Sequence, residues 1–398
     1  MWLTADEAVA VLSVKKSTLY TYASRGWLRT RRAGRQRWYH AEDVDELARR
    51  AAAAGGHAAA ASSALHWGAP VLDSAVSSID LDGPNYRGVP AVWLAERDTP
   101  FEAVATLLWD GTLPDPAPRL SPWAFDPGDS DRGSRRVPDG APVGRTLLAI
   151  AATLGFRSGA RALAPIERDA LGLIHRLCAW AASAVGPRAT WVERAAAAAQ
   201  ASSVAEALAA AMGEPSAARW VDRALVLCAE HELNASSFAA RIAASTGADR
   251  AAVLCAALAV WTGPEHGGAS ERLEEVLDGQ RTIASLGGAG FGHRLYPAGD
   301  PRAERLLADA RALGGDRLAP VERLLAEAAL AGRPPPNLDA GLVALAAALG
   351  LPRGAGALMF AVGRTAGWIA HAEEQRASGR LLRPRARYVA VEPPARTR

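Results

Sequence analysis

The sequence is almost without lysine: Lys15 and Lys16 are the only two, and arginine supplies the rest of the 45 basic residues. Cysteine is scarce too. Cys178, Cys228 and Cys255 make an odd count, form no C-x-x-C pair and sit in apolar, helix-like stretches. That pattern argues against a disulfide framework and fits buried free thiols in a reducing compartment. No apolar run is long enough to span a bilayer; Ala251 to Trp261, among the longest, falls well short of the ~20 residues required. Asp6 and Glu7 interrupt the first apolar run, so a secretory leader is not expected, and the protein reads as cytoplasmic with no membrane partner. A Walker A loop, G-x-G-x-x-G, H-E-x-x-H and G-x-S-x-G are all missing, so nucleotide-triphosphate enzymes and serine hydrolases lose support. The net charge is only +3, and any contact with nucleic acid must rest on a local patch.

What is present is a chain of 398 residues, 49% hydrophobic and 22% charged, enough for two or three globular domains. The first fifty residues have their own character. Thr4 followed by Glu7 is a capping-box pattern opening a helix over Leu3–Leu12. A second helix is expected over Val14–Ser24, with Gly26 as its stop. Trp27-Leu28 and Arg37-Trp38-Tyr39 flank a basic turn at Gly34 and suggest a hairpin or wing, and Ala41–Arg50 reads as a third helix. No acidic residue occurs between Ala8 and Ala41. A basic helix beside a basic wing is the footprint of a duplex-binding module. The candidate contacts are Lys15, Lys16, Ser17, Arg25, Arg35 and Arg37; a solvated basic face or a protein-docking module is the plainer alternative. The run LTADEAVAVLSVKKSTLYTYASRGWL with RWYHAEDVDEL resembles the excisionase and MerR-type winged helix-turn-helix family. Residues 51–63 form an Ala/Gly-rich linker, where His57 is expected to be exposed and silent.

From about Ala64 onward, Ala/Leu-rich segments with helical spacing dominate, among them Ala103–Trp109, Ser203–Met212, Ala235–Ala244, Arg250–Trp261, Ala303–Leu313 and Gly341–Leu349. Leu113–Arg145, rich in Pro, Gly and Asp, reads as a long and mobile surface loop. Three histidines stand out by context: His231 in HELNASS, His266 in TGPEHGGASE and His293 in GAGFGHRLYPAGDPRA. Glycine beside a histidine permits backbone conformations that present the ring to a ligand. His266 precedes a helix expected from Ser270 to Leu277, whose dipole disfavours imidazolium and leaves a neutral donor. Asp300-Pro301-Arg302 reads as an N-cap, a proline at the first helical position and an arginine that, with the helix end, can hold a carboxylate. Asp339 in PPPNLDAG is a candidate base with a raised pKa, although an N-cap role is the commoner use. Arg364 lies amid small apolar residues and needs an anionic partner if buried. The histidine spacing is too wide for a metal site, so no metal is expected.

Seven ordered segments together resemble the citrate synthase family over roughly Ser63 to Val391: SSIDLDGPNYRGVPAVWLAERDTPFEAVATLLWDGTLP with Tyr86-Arg87-Gly88, HELNASSFAARIAASTGADR, GPEHGGASE, GFGHRLYPAGDPRA, PNLDAG, FAVGRTAGWIAHAEEQ and LLRPRARY. The resemblance implies a mainly α, two-domain fold preceded by the winged helix-turn-helix domain, with a citrate synthase-like domain over 64–398. Its small subdomain would be about 268–350 and its large subdomain 64–267 and 351–398. It further implies a homodimer with no permanently bound cofactor, condensing acetyl-CoA with oxaloacetate and hydrolysing citryl-CoA to citrate. Asp339 would take the methyl proton, His266 would stabilise the enolate, and His293 would polarise the ketone. His231, Arg302, Arg364 and the partner subunit's Arg383 would hold the carboxylates. Two stretches depart from the family pattern. Ala340-Gly341 follows the base where an aromatic and a small polar pair are usual, and Leu113–Val221 lacks the usual His-Pro-Met stretch. Beside citrate synthase, two further readings stay open: a 2-methylcitrate synthase using propionyl-CoA, and a DNA-binding regulator with a non-catalytic sensor domain.

Overall fold

The computed structural model describes residues 2–12, 14–33, 36–41, 43–44, 47, 72–126, 141–155, 166–264 and 266–384. The chain divides into two compact units, Met1–Asp73 and Ser74–Arg398. The expected linker over 51–63, with His57, and Arg35 in the wing lie outside the described residues, as does most of the expected third helix.

In the first unit, helix α1 (Ala5–Leu12) starts on the expected capping box: Thr4 N donates to Glu7 Oε2 at 2.7 Å and Glu7 N donates to Thr4 Oγ1 at 3.3 Å. Helix α2 (Lys16–Ser24) begins two residues later than its spacing suggests, and Gly26 takes φ +74° just beyond it. The wing is a hairpin of β2 (Thr30–Ala33) and β3 (Gln36–His40). The two-residue strand β1 (Trp2–Leu3), which the sequence does not announce, adds to it through Trp2↔His40 and Leu3↔Tyr39. Ala8, Leu12, Leu19, Leu28, Tyr39 and Val44 form this unit's core.

The second unit is mainly helical, as expected, with one small sheet. Strands β4 (Ser77–Asp80), β5 (Gly83–Tyr86) and β6 (Val89–Pro90) form an antiparallel meander in the order β4-β5-β6. The Asp82-Gly83 pair at its first turn, with Gly83 at φ +120°, is a hairpin signal that the alternation test misses because the strands are only two to four residues long. Tyr86 is fully buried, and its hydroxyl donates to Val226 O at 2.9 Å. The sheet thereby grips the C-terminal end of helix α9 (Ala218–Cys228), from which the chain runs into His231.

Helices α3 (Ala91–Glu96), α4 (Phe101–Asp110), α5 (Val143–Gly155), α6 (Ile166–Ala181), α7 (Trp191–Ala199), α8 (Val204–Met212), α9, α10 (Ala235–Ser245) and α11 (Arg250–Trp261) surround α16 (Ala355–Ser378). Nearly every face of α16 is apolar or small, and most of its residues are buried, the pattern of a central helix. Of the expected loop, residues 113–126 are non-helical but fastened. Leu120 N donates to Ser202 O at 2.9 Å and Trp123 N to Ala199 O at 3.1 Å, so this part is packed rather than mobile. A second apolar core is built from Leu273, Leu286, Phe291, Leu307, Leu318, Val321, Leu324 and Val343. It is formed by α12 (Ala269–Leu277), α13 (Pro301–Leu313), α14 (Leu318–Leu330) and α15 (Leu338–Ala348). Cys178 and Cys228 are buried, Cys255 is half-buried, and all three are free thiols. Among the described residues no helix is long and apolar enough to cross a membrane.

The contact of α16 with α9 depends on glycine. A Cβ on Gly363 would stand 2.8 Å from both Cys228 Cβ and Leu225 O. Gly363→Ala should therefore lower stability by about 1–3 kcal/mol, the usual cost of overpacking, read as an earlier midpoint in urea unfolding. An unchanged midpoint would mean that the two helices separate freely.

Candidate active site

Three loops and four helix starts, those of α10, α12, α13 and α15, converge on one polar site within the second unit. The first loop follows α9 and carries His231. Asn234 then caps α10 by accepting from Ser236 N and Ser237 N at 3.1 and 3.0 Å. The second loop follows α11 and carries His266. Gly267 is required there, since a Cβ would lie 2.0 Å from Trp261 O, and Gly268 takes φ +76° to start α12. The third loop carries His293 and Tyr296 and ends at Asp300, which caps α13 by accepting from Arg302 N at 3.1 Å. Asp339 sits in the first turn of α15, whose cap is Asn337, accepting from Asp339 N at 3.1 Å. The N-cap use that the sequence allowed for Asp339 therefore falls to Asn337, and the Asp339 carboxylate is left for other work.

Asp339 Oδ1 accepts from Ser270 Oγ at 2.9 Å. Burial pushes the Asp339 pKa up, with Ser270 and Arg302 opposing. His266 Nε2 lies 2.8 Å from Ser236 Oγ, which also accepts from Trp368 Nε1 at 3.0 Å. With the Ser236 hydroxyl donating to Nε2, a neutral His266 carries its proton on Nδ1, where a ligand can accept it. Burial, assisted by the charge of Arg364, pushes the His266 pKa down to about 4. The sequence credits this neutrality to the helix dipole; desolvation and a guanidinium supply it here.

His293 Nδ1 accepts from Leu295 N at 3.2 Å, so a neutral His293 carries its proton on Nε2 and can donate it. Burial and then Arg302 push its pKa to about 4 as well. His231 Nε2 lies 3.0 Å from the Tyr296 hydroxyl, and the His231 and His293 rings meet edge-on with centroids 4.9 Å apart. Burial, Arg302 and Arg364 hold the His231 pKa far below its ordinary value. All three imidazoles are accordingly neutral donors or acceptors at pH 7.

Arg302 and Arg364 are both buried. Arg302 uses Nε and Nη2 on the two oxygens of Asp300, at 3.0 and 2.8 Å. The anion beside it is therefore its own neighbour, and Nη1 is the donor which those bonds leave over. Arg364 donates from Nε to Cys228 O at 2.7 Å, and no carboxylate of the described residues lies within ion-pair distance of it. Two guanidinium groups, three neutral histidines and a carboxylate of raised pKa make a site suited to an anionic substrate and to proton removal beside a developing oxyanion.

Of the residues singled out from sequence, His231, His266, His293, Arg302, Asp339 and Arg364 come together. Arg383 is exposed beyond the end of α16 and has no hydrogen bond to this cluster. Ser236, Ser270 and Tyr296 are contacts that the sequence reading missed, Tyr296 despite lying inside the GFGHRLYPAGDPRA motif; Asp300 was read as a cap, but not as the partner of Arg302. Among the described residues no cluster of His, Cys, Asp or Glu has the makings of a metal site. In the first unit, Lys15 stands at the N-cap of α2, Ser17 is exposed, Lys16 is paired with Asp6 at 2.6 Å, and Arg25 lies over Trp27 at 5.4 Å. Arg37 is on β3 opposite Arg32.

A family model described as citrate synthase, C-terminal domain, matches residues 64–385, and one described as a helix-turn-helix domain matches residues 2–52. Putative citrate synthase 2 of Mycobacterium tuberculosis is 40% identical over 196 residues, covering 44% of this chain and 52% of that protein. A citrate synthase of Haloferax volcanii is 38% identical, covering 42% and 49%, and a 2-methylcitrate synthase of Shewanella oneidensis is 34% identical, covering 44% and 51%. The chain spans about half the length of these curated relatives. Among solved structures, the citrate synthase of Thermoplasma acidophilum aligns with a TM-score of 0.66 at 21% identity over 82% of this chain and 96% of that one. That of Thermotoga maritima aligns with a TM-score of 0.58 at 26% identity over 82% and 95%.

The hydroxyl of Ser270 stabilises the charged form of Asp339, so Ser270→Ala should move the Asp339 pKa further up. Carboxyl-carbon NMR titration would read the shift, and a downward or absent shift would mean that Ser270 does not support the carboxylate.

Proposed function

The chain belongs to the citrate synthase family, and from that premise we propose that it condenses acetyl-CoA with oxaloacetate and hydrolyses the resulting thioester to citrate and CoA. The observation that carries this reading is the convergence of Asp339, His266 and His293 with Arg302 and Arg364. In it, Asp339 takes a methyl proton while neutral His266 donates to the thioester oxygen, which gains negative charge as the C–H bond breaks. The enol(ate) carbon then bonds to the ketone carbon, whose oxygen draws on the Nε2 proton of His293. Water finally cleaves the thioester and releases CoA. His231, Arg302, Arg364 and the partner subunit's Arg383 hold the two carboxylates. The chemistry asks for no resident cofactor. Support also comes from the Thermoplasma enzyme, whose complex contains carboxymethyl coenzyme A and oxaloacetate.

The second core supports reading residues about 268–350 as a small subdomain carrying Asp339, with 64–267 and 351–398 as the large one. Ile242 on α10 and Val260 on α11 are exposed apolar side chains on two helices that pack together, and they favour a homodimer across that face. A second reading, 2-methylcitrate synthesis from propionyl-CoA, rests on Ala340, which follows Asp339 where the family usually has an aromatic residue.

Release of CoA from acetyl-CoA and from propionyl-CoA with oxaloacetate, in wild type and Asp339→Ala, tests the assignment. A loss of at least about 10²-fold in the variant is expected for removing the base, and the faster donor fixes the product. A folded protein that binds oxaloacetate without turning over either donor would instead be a sensor.

For the first unit we propose duplex DNA as the partner. The helix-turn-helix match and the exposed Lys15, Lys16, Arg25 and Arg31 support this. Phosphate contacts make binding salt-dependent, and each one removed lowers the slope of log K against log salt by about one. Lys15→Ala and Arg37→Ala should each do so on a mixed duplex pool; a slope unchanged in both would exclude these residues from the interface.

A further inference from the structure

Arg302 has Asp300 as a partner inside the fold, but among the described residues Arg364 has no carboxylate at ion-pair distance. A buried guanidinium without a counter-charge is costly, so the fold must balance it over a longer range. The chain between α9 and His231 runs alongside α16 and touches it in order. Cys228 O accepts from Arg364 Nε at 2.7 Å, Ala229 O accepts from Gly367 N at 3.0 Å, and Glu230 Oε1 meets His371 Nε2 at 3.2 Å. Glu230 is wholly buried, and its second oxygen, Oε2, has no hydrogen-bond partner. That oxygen lies against Gly367, where a Cβ would stand 1.8 Å from it. Gly367 is one turn beyond Arg364 on the same helix.

The far side of this carboxylate is braced. Arg241 Nε donates to His371 Nδ1 at 3.1 Å, so the proton of a neutral His371 must be on Nε2, pointing at Glu230. Arg241 is in turn paired with Glu374 and donates to Gln375 Oε1 at 3.3 Å and Ser74 Oγ at 3.0 Å. Neither the reaction outlined above nor any cap of the fold uses Glu230, and no described residue donates to its second oxygen.

We propose that Glu230 is the built-in counter-charge of Arg364, fixed in place by His371 and Arg241, and that it acts as a positioning residue setting how tightly the oxo acid's carboxylate is held. Burial pushes the Arg364 pKa down, and Glu230 is the strongest influence opposing it, as this pairing requires. When Arg364 takes a substrate carboxylate, that carboxylate and Glu230 share one guanidinium and repel each other. Glu230 therefore stabilises the empty site and weakens the filled one. A merely structural carboxylate beside His231 would have the opposite effect, since its loss would loosen the site.

This rests on oxaloacetate being the ligand of Arg364, and the test separates the two ideas. Calorimetric titration of the full chain with oxaloacetate should give a Kd about tenfold lower in Glu230→Gln than in wild type, a factor that corresponds to ~1.4 kcal/mol. An equal or higher Kd in a folded variant overturns the proposal. Wild type that fails to bind oxaloacetate sinks the enzymatic reading instead, and the charge pairing is then decided without ligand. Arg364→Gln strands the Glu230 charge in the interior, so adding Glu230→Gln to it should raise Tm above that of Arg364→Gln alone. If the two losses in Tm simply add, Glu230 and Arg364 are not paired and the inference fails.

Discussion

The carboxylate of Asp300 is the joint on which the site depends. Its Oδ1 accepts from Arg302 N and Nε, and its Oδ2 accepts from Arg302 Nη2 and from Leu338 N at 3.2 Å. One side chain thus caps α13, locks the fork of Arg302 and holds the first turn of α15, which carries Asp339. Burial alone would raise the Asp300 pKa, but the adjacent guanidinium outweighs it and keeps the group below the usual carboxylate range. Removing one member of such a buried pair leaves an uncompensated charge, at a cost of about 3–5 kcal/mol. The order Asp-Pro-Arg makes the joint compact. The cap bonds two residues ahead, and the proline gives up only an N–H that the helix start leaves unused.

Two interior guanidinium groups also fix the state of the histidines. His231, His266 and His293 are desolvated beside positive charge, so each is held neutral across the physiological range. A neutral imidazole donates a hydrogen bond without surrendering its proton in the ground state, which suits an oxyanion that exists only transiently. Arg302 lowers the Asp339 pKa in the same sense; burial is what acts oppositely on a carboxylate and an imidazole. Burial raises its pKa, whereas Arg302 and Ser270 keep it from rising further. Neutral donors and an ionisable base in one cavity follow from one arrangement of charge.

That arrangement was legible in the sequence where it depends on backbone. His266 and His293 are betrayed by the glycines beside them, because Gly267 cannot bear a Cβ against Trp261 O, and Asp300-Pro301-Arg302 is a helix start on sight. The partners that orient these groups were not legible. Ser270 reaches Asp339 across 69 residues and Ser236 reaches His266 across 30, and a serine in a helix's first turn carries no mark of what folds against it. The short strands β1 and β4–β6 failed for another reason: two to four residues hold too little alternation to register against a helical background. Glu230 was invisible because its role depends on α16, more than a hundred positions away.

Asp339 lies on a seam between the two apolar cores. Along α15, Leu338, Leu342 and Leu345 belong to the larger core, whereas Ala340, Val343 and Ala344 belong to the smaller. Polar contacts accompany the seam. Arg223 on α9 bridges Asp98 and Asp309, the latter on α13, at 2.6 and 2.7 Å, and Glu271 and Glu274 on α12 accept from Val143 N and Gly354 N at the starts of α5 and α16. Contacts of this kind are exchanged for water at small net cost, whereas interdigitated side chains are not. A displacement of the smaller core would carry Asp339 and Arg302 away from His231 and Arg364, and would have to shift Leu338, Leu342 and Leu345 against the larger core as well. In the reaction proposed above, Asp339 and Arg302 meet His231 and Arg364 only with the seam shut, so any opening of it would have to precede proton removal.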